Sequence, residues 1–95
     1  MNLRKYINKI LRSPHVVVAK GYLGSEFANY PPKCNGNDPT CYHHLAWMLT
    51  EIAKNEMSPT KANRWLGYVQ GVMVGDGLLD VNQERERTRP IFKGM

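Results

Sequence analysis

The side chains able to do chemistry gather in two stretches. Cys34, Cys41, His43 and His44 are the thiols and imidazoles that zinc takes as ligands, at about 2.0 to 2.3 Å in a tetrahedron. Their spacing argues against a structural site. Such sites draw on pairs two to four residues apart, and adjacent histidines diverge by about 100° when both are helical. Cys41 reads better as a small buried apolar residue. His44 and Glu51 would be an acid–base couple, but seven residues of helix separate them by about 10 Å along the axis, too far to share a proton. The chain carries no phosphate loop after a strand, no nucleophile elbow and no defensible carboxylate pair. The expectation is a binding protein rather than an enzyme, with no metal and no cofactor. A zinc-dependent fold or hydrolase, resting on Cys41 and His44, is the remaining alternative.

The second stretch builds a binding surface more readily. Lys61, Arg64 and Tyr68 fall along one side of a helix. An arginine fork holds phosphate while an aromatic ring stacks on a base. Trp47, on a preceding helix, would approach them across a hairpin. The competing reading makes Trp47 and Trp65 core anchors with Arg64 lying over them. Gly67, Gly71 and Gly75 recur every fourth residue. Three helical glycines cost roughly 3 kcal/mol relative to alanine, so a gain from close approach is expected: a packing seam inside the monomer, a symmetry mate or a ligand.

The helices that must position these groups announce themselves by caps and periodicity. Ser58-Pro59 is a helix start, Ala62, Trp65, Leu66, Val69 and Met73 make one apolar face, and Gly77 sits where a left-handed residue ends the helix, giving about 59–76. Asp38-Pro39 starts another helix, to about Asn55, with Cys41, Leu45, Met48, Leu49 and Ile52 on its apolar face. The short link between them predicts an antiparallel helical hairpin, 39–76.

Around this hairpin, residues 1–12 read as a basic amphipathic helix. His15 to Ala19 reads as a short helix or irregular segment, since no second strand could pair with its valines. Residues 21–38, rich in glycine, proline and asparagine, read as a loop in which Ser25 to Tyr30 makes a turn placing Phe27 and Tyr30 on the core. Asp80 and Gln83 have capping-box spacing for a charged helix over 80–89 that Pro90 ends, with Ile91 and Phe92 returning to the core. The fold class is all-α, a single helical domain over 1–95.

At 95 residues the chain makes one modest core that association would help to stabilise, so a homo-oligomer is expected. The net charge of +5 raises the local concentration of anions. The helix 59–76 is too apolar and glycine-rich to read DNA, and Glu84 and Glu86 blunt Arg85, Arg87 and Arg89, so nucleic acid is set below small ligands and proteins. No run approaches a membrane span and the N-terminus has no continuous apolar core, which predicts a cytoplasmic protein without membrane association. Two cysteines do not make a disulfide framework, and the redox state of Cys34 and Cys41 is left open.

The segment Lys61 to Phe92, with an Arg-Trp-Leu-Gly helix at Arg64 to Gly67, a preceding His44-Leu45 and a charged tail closing in Arg89-Pro90, resembles small accessory proteins of tailed bacteriophages and prophages. The resemblance covers roughly half the chain. It implies an early, non-virion protein that binds and blocks a host component in the host cytoplasm. Some phage proteins of similar size and helical character sequester nucleotide second messengers as symmetric oligomers. The leading expectation is therefore a counter-defence binding protein that sequesters an anionic nucleotide through Arg64, Tyr68, Lys61 and Trp47. The alternative is an inhibitor that binds a host protein through the 21–38 loop.

Overall fold

The structure, a computed structural model, describes residues 13–93. The N-terminal helix expected over residues 1–12 lies outside the described residues. The described chain is all-α: α1 (Pro14–Leu23), α2 (Tyr42–Ala53), α3 (Pro59–Gly75) and α4 (Val81–Lys93).

The start and stop signals of α3 do what their chemistry dictates. The Ser58 hydroxyl accepts from the Lys61 N–H at 3.2 Å, and Pro59 occupies the first turn, where no N–H is needed. At the other end Gly77 takes φ +78°, and the N–H groups of Leu78 and Gly77 donate to the carbonyls of Met73 and Val74 at 2.8 and 3.0 Å. These two bonds are a Schellman closure, which a left-handed glycine permits without Cβ strain. In α4 the Asp80 carboxylate caps the Gln83 N–H at 2.9 Å.

Three boundaries differ from the sequence expectation. The helix after Ser13-Pro14 runs through Gly21 to Leu23, so the loop begins at Gly24; Val16, Val18, Ala19 and Tyr22 are all buried, and their burial holds the β-branched run in a helix. The second helix begins at Tyr42 rather than at Asp38-Pro39. There the Cys41 N–H donates to the Asp38 carbonyl in a tight turn, and Cys41 becomes the N-cap instead of a core-facing residue. Pro90 does not end the last helix, which continues to Lys93 with Ile91 packed on the core. Phe92 stays exposed, its ring centroid 5.8 Å from that of His15 in an edge-to-face arrangement.

The core is centred on α2, not on α3. His44, Leu45, Ala46, Met48, Leu49 and Ile52 are buried along it, and it packs most extensively on α1 and next on α3. Leu66, Val69 and Met73 close the core from α3, and Phe27, carried on the turn after α1, closes it from the loop. Tyr30 packs beside Phe27 and Tyr42 in an edge-to-face cluster, as the sequence expected of Phe27 and Tyr30. The α2–α3 pair is joined by the turn 54–58. It is tied near its open end by the Tyr42 hydroxyl, which donates to Asp76 Oδ2 at 3.1 Å. No described helix is long and apolar enough to cross a membrane.

Candidate functional site

Beside the turn 54–58, α2 and α3 border an open groove of about 420 Å³, lined by Trp47, Glu51, Glu56, Met57, Ser58, Lys61 and Trp65. Trp47 and Trp65 are half-buried. Their inner edges pack on the core, and their rings meet at 5.6 Å between centroids, tilted by 44°. At that separation the indoles touch each other, which leaves no room for a further ring between them. Trp47 is backed by the His44 ring at 5.3 Å. The core-anchor reading therefore holds for the packed part of these side chains, and their remaining surface lines the groove.

The charged groups of the groove are unequally occupied. Glu51 is paired with Lys54 at 2.7 Å, and that hydrogen bond holds the Lys54 ammonium above its ordinary value. Lys61 Nζ lies 5.1 Å over the Trp65 ring, a cation–π contact on a solvated surface. Lys61 rather than Arg64 covers the indole. Among the described residues the ion pairs are Lys54–Glu51, Arg87–Glu84 and Arg89–Glu86, which leaves Glu56, Lys61 and Arg64 without an opposite charge within 4.0 Å.

Of the residues expected to bind a ligand, Lys61 and Trp47 line the groove. Arg64 and Tyr68 follow Lys61 at helical spacing on the exposed side of α3, outside the groove lining. Tyr68 is committed in part, since its hydroxyl donates to the Pro39 carbonyl at 2.8 Å and fixes the chain ahead of α2. Sequence reasoning missed Glu56, Met57 and Trp65 as groove-lining residues. Glu56 and Met57 lie in a turn with no periodicity to flag them, and Trp65 shares the spacing of the core residues.

Gly67, Gly71 and Gly75 lie on the face of α3 opposite its buried stripe. A Cβ added at any of the three would meet no described atom within 4 Å. Among the described residues they do not form the packing seam inside the monomer that the sequence allowed, because no described element approaches that face.

The two histidines serve as a clasp for the loop. His43 Nδ1 donates to the Pro31 carbonyl at 2.9 Å, the Lys33 N–H donates to the His43 carbonyl at 3.0 Å, and the Asn35 N–H donates to His44 Nδ1 at 2.9 Å. The last bond makes Nδ1 of buried His44 an acceptor, so the neutral ring carries its proton on Nε2. No three of the described histidines, cysteines and carboxylates come together closely enough to hold a metal ion. No known protein family, curated protein or solved structure matches this chain.

Proposed function

We propose that this chain is a small phage-type accessory binding protein that captures an anionic nucleotide and holds it without turning it over. The observation that carries the reading is the groove itself. Two indoles share an open surface, a lysine with no carboxylate partner among the described residues rests on one of them, and Arg64 follows one helical turn later. Indole faces stack any base, at about 1 to 3 kcal/mol per base, and the cations take the phosphate. Lys61 moves from the ring to the phosphate as the base takes its place over Trp65.

The chain carries a net charge of +5, and residues 13–93 hold nine lysines and arginines against eight carboxylates. Among the described residues, Lys61 and Arg64 are the cations at and beside the groove that would meet the anion. In this reading the exposed glycine face of α3 is where copies associate.

Native mass spectrometry of protein purified gently from cells tests the proposal. Retained mass of nucleotide size, lost in Arg64→Ala and in Trp47→Ala, is the expected result. Protein that is bare, and that shows no tryptophan fluorescence change with any nucleotide, contradicts it.

A second reading is favoured by the loop. The clasp of His43 and His44 fixes residues 31–35 while leaving Pro31, Pro32, Lys33 and Cys34 exposed, a preorganised surface for a host protein. It predicts that Arg64→Ala leaves partner binding intact while His44→Ala weakens it.

A further inference from the structure

A carboxylate in an anion site asks for a reason, and Glu56 supplies one. We infer that the groove selects guanine over the other bases, an inference that rests on the nucleotide reading above. Glu56 is exposed on the groove lining beside the two indoles and, among the described residues, has no cation within 4.0 Å. Lys54 is bonded to Glu51 at 2.7 Å and acts on Glu56 only through the longer-range attraction of their charges, which leaves the Glu56 oxygens without a bonded cation among the described residues. A carboxylate repels phosphate, so it belongs in such a groove only if it meets a different part of the ligand. An ionised carboxylate accepts and never donates. Guanine alone presents two adjacent donors, N1–H and the N2 amino group, which match the two carboxylate oxygens as a bidentate pair. Adenine and cytosine each offer one amino donor beside a ring lone pair that faces the carboxylate. Uracil offers one N–H between two carbonyl oxygens. Each of these sets an acceptor against an acceptor.

The remaining groups then have separate tasks. The base lies on the outer surface of Trp47 and Trp65 with its donor edge toward Glu56, and Lys61 meets the phosphate at the other end. A groove of about 420 Å³ is within the range of small-ligand pockets, about 300 to 1,000 Å³, and holds one base with its sugar and phosphate.

The test is titration calorimetry of the full chain at one fixed salt concentration with GMP, IMP, AMP and UMP, and with an RNA octamer containing a single guanine. GMP is expected to bind about 10- to 100-fold more tightly than AMP or UMP, with IMP, which keeps N1–H and lacks the amino group, in between. Glu56→Gln reduces the GMP preference to within about threefold, because an amide presents one acceptor and one donor. Glu51→Gln keeps it. Circular dichroism of both variants matches that of the parent. If GMP and AMP bind equally well, or if Glu56→Gln keeps the preference, guanine selection is overturned and nucleotide capture stands. If no nucleotide binds, capture falls with it. An RNA octamer that binds more tightly than GMP assigns the base to a strand and overturns the free nucleotide as ligand.

Discussion

Two clusters of aromatic and charged side chains sit on opposite sides of this molecule's logic. Where α4 meets α1 and α3, the Tyr22 hydroxyl accepts from Gln70 Nε2 at 3.0 Å and the Arg87 guanidinium lies 5.7 Å from the Tyr22 ring. Arg87 also binds the carboxylate of buried Glu84, and the Thr88 hydroxyl donates to the Glu84 carbonyl at 2.8 Å. No buried side-chain nitrogen or oxygen among the described residues lacks a hydrogen-bond partner, which is what a buried network requires if it is to hold a helix in place. The Trp47–Trp65 groove has the same ingredients and stops short of closure: its rings are half-covered, and among the described residues neither Glu56 nor Lys61 has an opposite charge within 4.0 Å. A residue's type thus says little about its role until its partners are known. Internally paired groups stabilise the fold, whereas the exposed charges of the open groove are met by water.

Substitutions separate the two clusters. The largest effect on stability is expected from Tyr22→Ala, which empties a nearly fully buried site and orphans Gln70. Urea unfolding should show a loss of about 3 to 5 kcal/mol. Trp47→Ala should reverse the pattern, lowering nucleotide affinity at least about tenfold in a calorimetric titration while the protein remains folded. Equal stability losses at both positions with unchanged binding would erase the distinction.

A subtler effect comes from pH. Burial, foremost, raises the Tyr22 phenol above its ordinary value of 10.0, with the Glu84 charge adding to it against the Gln70 hydrogen bond. The folded state therefore keeps this proton longer than the unfolded chain does. The associated stability is fully present below pH 10 and is lost as pH rises through the folded value. Thermal melts from pH 9 to 11 should fall more steeply for the parent than for Tyr22→Phe. The smallest effect is expected at Gly71. No described atom lies within 4 Å of a Cβ placed there, so Gly71→Ala should raise monomer stability by up to about 1 kcal/mol through helix propensity. Gly71→Leu should shift an oligomer toward monomer in light scattering; an unchanged mass would show that copies do not meet on the glycine face.

Much of the architecture was legible because its signals are local. Ser58-Pro59, Gly77 and Asp80 each act within a few residues of themselves, and the apolar spacing of α2 and α3 reports their buried faces directly. What escaped depends on partners distant in sequence. Glu84 looks like one more solvated charge in a charged helix, and its burial follows only from Arg87 bridging to Tyr22. Pro90 looks like a stop, yet a helix can carry a proline when packing of Ile91 holds the next turn. The candidate site divides the same way. Lys61 and Trp47 were recognisable by type and spacing, whereas Glu56 enters the groove through the path of a turn that has no period.

The chain has two tryptophans, so its indole N–H groups give two resolved signals in a nitrogen-15 correlation spectrum. Titrating GMP into labelled protein while following those signals and the Gln70 side-chain amide tests the account most directly. Nucleotide capture at the groove predicts that both indole signals move and saturate together while the Gln70 amide stays in place. Indole signals that hold still at saturating GMP, or a response led by Gln70, would contradict it.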